Sequence, residues 1–203
     1  MSEADSRLDQ IIAAALAVFG RYGYQRTSMD QIAKAAGISR PALYQHFSGK
    51  DDVFRASGER IADKLISAAE AAAATDAPAA DRLYRALAVK VDFSSGSLDA
   101  QFRSDLIAEA SARLPDLQAS MKARQAGVIE KILHSAADLD LATTSIPARD
   151  IAVVLLDALT GIAQQDEPAD ELRRRLRQLV DLTVSGLARR PRQDPPDQVK
   201  GAS

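Results

Sequence analysis

The densest group of side chains built for polar contact is Arg40-Pro41-Ala42-Leu43-Tyr44-Gln45-His46-Phe47, with Lys50 just beyond it. A guanidinium, a phenol, an amide, an imidazole and an ammonium in so short a stretch suit hydrogen bonding to phosphates and base edges rather than the making of bonds. At 100° per residue, Leu43 and Phe47 fall together and face a core, while Pro41, Ala42 and Gln45 lie opposite. Arg40 and Tyr44 occupy one flank and His46 the other, each long enough to reach DNA from a helix about 12 Å long lying in a major groove.

Other chemistries find less support. The chain has no Cys and only two His, His46 and His134, so disulfides, thiol nucleophiles and thiolate zinc sites are excluded. No Ser-His-Asp grouping, Gly-rich phosphate loop or metal-ligand spacing is present, and no cofactor is expected. Asp105 and Glu109 have the i, i+4 spacing of paired acids, but they alternate with Arg103 and Arg113 as a charged surface ladder does. The run Arg173-Arg174-Arg175 with Arg177 is interleaved with Leu172, Leu176, Leu179 and Val180, which reads as a solvated or interface-rim helix face.

The elements that must hold Arg40 to Phe47 are legible. Ile11, Ile12, Ala15, Leu16 and Phe19 recur at helical spacing, predicting a first helix near 7–22 that ends at Gly20 to Gly23. Ser28-Met29-Asp30-Gln31 has capping-box spacing and opens a second helix carrying Ile32, Ala33 and Ala36. Gly37 can take a positive φ, Ile38 can enter the core, and Ser39 can cap a third helix over 40–47 with Pro41 in its first turn. Two helices joined by a short Gly turn make a helix-turn-helix. Ser48-Gly49-Lys50-Asp51 starts a long fourth helix to about residue 74. Five more follow near 81–93, 98–113, 116–137, 148–165 and 169–190.

The composition agrees with an all-α chain of about nine helices: 203 residues, 46% hydrophobic and 4% aromatic. The net charge of −2 is unlike that of a nucleic-acid binder, yet residues 1–50 hold six basic side chains against four acidic ones, leaving the remainder acidic. The polar N-terminus lacks a signal-peptide pattern and no stretch of about 18 apolar residues occurs, so a soluble, cytoplasmic protein is expected.

Ile11-Ile12, Ala15, Phe19, Gly23-Tyr24, Thr27-Ser28-Met29, Ile32-Ala33, Ala36-Gly37-Ile38-Ser39, Leu43-Tyr44, His46-Phe47, Lys50 and Phe54 together resemble the DNA-binding domain of the TetR family. The likeness covers about a quarter of the chain with order and spacing intact; the remainder matches only in plan. It implies a homodimeric repressor of palindromic double-stranded operator DNA, released by a small-molecule effector. It also implies that Ser28, Tyr44, His46 and Lys50 contact phosphates while Arg40, Pro41, Ala42 and Gln45 meet bases. Arg40 would hydrogen-bond a guanine edge, and Pro41 with Ala42 would pack on a thymine methyl.

The expected organisation is a three-helix helix-turn-helix domain at 1–50, a helical effector-binding and dimerisation domain at 51–190, and a disordered tail at 191–203. Tyr84, Phe93, Phe102, Met121 and His134 are candidates for an effector pocket, although ordinary packing accounts for them equally well. Leu155, Leu159 and Ile162, with Leu172, Leu176 and Leu179, form two amphipathic stripes. These either build a four-helix dimer interface or close the monomer core. A helical protein-interaction adaptor is the competing reading, distinguished by whether Arg40→Ala abolishes DNA binding.

Overall fold

The computed structural model describes residues 3–94, 100–165 and 167–188. Among them the chain is helical, with α1 (Glu3–Arg26), α2 (Met29–Ala35), α3 (Arg40–Tyr44), α4 (Lys50–Ala73), α5 (Ala79–Ser94), α6 (Ala100–Arg113), α7 (Pro115–Ser135), α8 (Ala148–Ala163) and α9 (Ala169–Leu187). The expected tail, 191–203, lies outside the described residues. None of these helices is long and apolar enough to cross a membrane.

Gly23, at φ 73° and ψ 167°, breaks α1 before its end. This conformation costs an L side chain but not glycine. The chain is redirected there, which is why the helix expected to stop near residue 22 continues as a separate turn to Arg26. The redirection buries Tyr24 against Phe19 and Phe54, with ring centroids 6.1 and 4.9 Å away.

Two apolar clusters organise the molecule. The first joins Ile11, Phe19, Ile32, Leu43 and Phe47 of the N-terminal helices to Val53 and Phe54 at the start of α4. The second gathers the far half of α4 with α5, α7, α8 and α9 around Leu83, Ile129, Ile132, Leu155, Leu159 and Leu176. α4 therefore belongs to both, and a division at residue 50 marks where it begins rather than where packing changes.

The first cluster has a further member from far along the chain. Leu114, in the corner between α6 and α7, is buried in it, with Leu106, Ala110 and Leu117 packed around. Gly58 of α4 permits the approach, because a Cβ there would lie 2.9 Å from Leu117 and 3.4 Å from Leu114.

Candidate nucleic-acid interface

The helix-turn-helix is built on local hydrogen bonds. Ser28 caps α2 by accepting from the Gln31 amide at 3.3 Å, and the Gln31 side chain accepts from the Ser28 amide at 2.7 Å, completing the capping box. Gly37 takes φ 67°, and Ser39 then caps α3 by accepting from the Ala42 amide at 3.2 Å. Ile32 and Leu43 are buried, which clamps the two helices together.

α3 is shorter than expected. After Tyr44, the amides of Gln45 and His46 turn to the carbonyls of Ala42 and Leu43 at 3.3 and 3.0 Å, tightening the chain so that Phe47 reaches the core. The face this leaves outside carries the expected side chains: Ser28, Arg40, Pro41, Tyr44, Gln45 and His46 are exposed, and Ala42 is half-buried. Tyr44 is 44% exposed although its ring is apolar.

Two of the cations are already engaged. Arg40 pairs with Asp30 at 3.1 Å, donates to the Tyr44 hydroxyl at 3.4 Å and lies 5.5 Å from the Tyr44 ring centroid. Tyr44 first and Asp30 next raise the Arg40 pKa above its usual value, so the group remains a cation. Lys50 donates to the carbonyl oxygens of Tyr24 and Gln25 at 3.0 and 3.4 Å and lies over the Tyr24 ring at 4.3 Å. Its ammonium thus fastens the end of α1 to α4, and any phosphate contact would be made from that anchored position.

A polar network continues from Lys50 to α6. The Tyr24 hydroxyl donates to Asp51, and the Arg113 guanidinium stands 4.1 Å from the Tyr24 ring centroid and 3.4 Å from Asp51. Arg113 also pairs with Glu109 at 2.6 Å, and Gln25 donates to Glu109 at 2.5 Å. Burial, followed by the bond to Asp51, pushes Tyr24 up to about 12, so it stays a neutral donor. Arg55 grips Asp116 through two bonds of 2.8 and 3.0 Å. The α6–α7 corner is thereby tied to the N-terminal helices by both polar and apolar contacts. Glu109 and Arg113 pair along α6 and also serve this tie, which a surface ladder along one helix does not include.

Residues 11–57 match the family described as bacterial regulatory proteins, tetR family. Over this stretch, about a quarter of the chain, the sequence is similar to the TetR family. The HTH-type transcriptional activator FasR of Mycolicibacterium smegmatis is 40% identical over 89 residues, a stretch that is 44% of this chain and 41% of FasR. The chain thus matches well under half the length of that relative.

The TetR-family architecture extends further than the sequence likeness. A Mesorhizobium loti protein assigned to the family superposes with a TM-score of 0.71 at 20% identity, covering 93% of this chain and 100% of its own. SmeT, the repressor of the Stenotrophomonas maltophilia multidrug efflux pump SmeDEF, superposes with a TM-score of 0.66 at 20% identity, covering 90% of each chain. These identities establish a shared fold. The family is one of regulators rather than enzymes.

The helices from α5 onward arrange their residues differently from the sequence expectation. Tyr84 is half-buried under the Arg177 guanidinium, Phe93 is 49% exposed, and Met121 is half-buried. His134 is exposed, in an open groove along α7 with Glu130 and Lys131. The Phe102 side chain lies outside the described residues. None of these four described side chains lines the cavity between α4, α5, α7 and α8, because helical periodicity reports that a position is apolar without saying which neighbour it meets. That cavity, small and partly open, is lined instead by Leu65, Ala86, Lys90, Gln125, Ile129 and Leu156, and has a volume of about 10 Å³. Lys90 was invisible to pattern reading, since a single lysine on an amphipathic helix looks solvated.

The stripes on α8 and α9 also turn inward. Leu155, Leu159, Leu172 and Leu176 are buried in the protomer's own core, and Ile162 and Leu179 pack half-buried against it. These side chains close the monomer. The apolar side chains that α8 and α9 present outward are Val154, 64% exposed, and Leu182, 75% exposed. Arg173, Arg174, Arg175 and Arg177 are all paired with carboxylates, those of Asp92, Glu171, Glu167 and Asp81 among them.

Proposed function

We propose that the protein is a sequence-specific transcriptional regulator that binds a palindromic operator as a homodimer, represses transcription there, and is released by a small-molecule effector. The observation that carries this reading is the outward face of α3: Arg40, Pro41, Tyr44, Gln45 and His46 stand exposed on a capped helix-turn-helix whose opposite side is core. Arg40, Pro41, Ala42 and Gln45 are the proposed base-reading group, and Ser28, Tyr44, His46 and Lys50 the proposed phosphate clamp. As a regulator of DNA, it acts in the cytoplasm.

For the dimer, outward-facing Val154 and Leu182 on adjacent helices support pairing of α8 and α9 with a second copy, in place of the buried leucines. Two reading heads would then meet half-sites about 34–36 Å apart. Release follows if the effector favours a different separation of the heads; about 1–3 kcal/mol of coupling, or 5- to 150-fold, makes a working switch. The α6–α7 corner, held in the DNA-binding core by Leu114 and Arg113, supplies a path for such coupling.

Selection of bound DNA from a random pool at defined salt tests the reading. An enriched inverted repeat with half-sites one helical turn apart is the expected outcome; no enrichment over random DNA sinks it. A second reading keeps the DNA site and reverses its effect, because FasR is named an activator. A reporter driven by the selected operator separates the two: repression requires expression to rise when the protein is deleted, and activation requires it to fall.

A further inference from the structure

Lys90 stands out among the charged side chains of the second domain. Its ammonium donates to Thr160 Oγ1 at 3.1 Å, and Thr160 in turn donates to the Leu156 carbonyl at 2.8 Å. Among the described residues it makes no ion pair. The nearby acid, Asp157, is taken by Lys122 at 2.5 Å. Two ammonium groups therefore share one carboxylate, and the site carries a local positive surplus. Burial first, and then the Lys122 charge, lower the Lys90 pKa.

The surroundings are hydrocarbon. Leu65, Ala86, Ile129, Leu156 and Leu159 line the cavity, and Gln125 is its other polar neighbour. A half-buried ammonium set against apolar walls, its nearby carboxylate already paired with Lys122, is destabilising, and methionine would fill the same space without that cost. The present volume, about 10 Å³, holds roughly one water, so any larger occupant has to part the helices. Such an occupant must supply negative charge to Lys90 and apolar surface to everything else.

We infer that this cavity receives the effector, and that the effector is an organic monoanion: a carboxylate on an apolar body, its charged end paired with Lys90 and its body between α4, α5, α7 and α8. The inference rests on the effector-controlled reading above and adds the ligand's chemical class. A neutral ligand would leave the ammonium uncompensated, and a cation would be repelled by both lysines.

Calorimetric titration of the purified full-length protein with four probes below their self-association concentrations tests it: decanoate, 4-butylbenzoate, decanol and decyltrimethylammonium. At least one carboxylate is expected to bind saturably at one site per chain, decanol about tenfold or more weakly, and the ammonium not at all. Lys90→Met should weaken carboxylate binding about tenfold or more, the loss of one ion pair, while sparing decanol. Lys90→Arg should retain carboxylate binding. Lys90→Met should also melt higher than the parent without ligand, which shows that the variant is folded and that the buried charge costs stability.

Failure of both carboxylates to bind, decanol binding as tightly as decanoate, or unchanged carboxylate affinity in Lys90→Met overturns the inference. DNA selection run in parallel keeps the two readings apart. A carboxylate site without an operator refutes the regulator, whereas an operator without a carboxylate site refutes only the ligand class.

Discussion

Arg40 does not wait free for DNA. It is paired with Asp30 and laid along Tyr44, so the proposed DNA contact would exchange a carboxylate for a phosphate or a guanine edge. The pair is solvent-exposed and weakly held, which makes the exchange easy. Arg40→Ala is expected to lower affinity for the selected operator about 5- to 100-fold, the range of one good base contact, by fluorescence anisotropy at fixed salt. Asp30→Asn should act in the opposite direction on random DNA, raising affinity and so narrowing the specificity ratio. Unchanged operator affinity in Arg40→Ala would remove Arg40 from the reading face. A separate titration belongs to Glu171, held down to about 2 by Arg174 and then Arg175, against an ordinary 4.5. Its folded pKa is depressed, so its stabilising contribution is complete above about 4.5 and lost as the pH falls towards 2. Glu171→Gln should flatten that part of the acid limb of the Tm against pH curve.

Among elements, the turn between α2 and α3 was the most legible, because its signals are local. Ser28 with Gln31, Gly37 and Ser39 each act within about four residues, and sequence order alone places those partners together. A Cβ on Gly37 would meet no atom within 4 Å, so Gly37→Ala isolates the cost of φ 67°. That cost is about 1–2 kcal/mol, which thermal unfolding should register as roughly 2–4 °C per kcal/mol. A larger loss would mean that the turn supports more than itself. The end of α3 was less legible. Residues 45 and 46 keep helical character in sequence, but drawing Phe47 into the core tightens the backbone after Tyr44. The end of α3 responds to tertiary pull, whereas the starts of α2 and α3 carry their own caps.

At the scale of the whole molecule, the two apolar clusters are bridged by α4 and by the α6–α7 corner, where Leu114 completes the N-terminal core with Leu106, Ala110 and Leu117 around it. Leu114→Ala is expected to cost about 2–5 kcal/mol in chemical denaturation and to weaken the effector's influence on DNA binding more than DNA binding itself. The dimer prediction is also a surface question. Val154→Glu or Leu182→Glu should yield a folded monomer in sedimentation and abolish tight operator binding, whereas Leu155→Glu should unfold the chain, because Leu155 is core. A dimer that persists in both surface variants would move the interface elsewhere. The sequence by itself determined the all-α class, the helix order, the helix-turn-helix and which of its side chains face outward, since caps, turns and a 3.6-residue period act over a few residues. Only the tertiary structure decided that Leu155, Leu159, Leu172 and Leu176 face inward, that none of the four described pocket candidates lines the cavity between α4, α5, α7 and α8, that Leu114 belongs to the first core, and that Lys90 lines that cavity. An apolar stripe reads the same whether it meets its own chain or a partner's, and a lysine reads as solvated until the helices around it are placed.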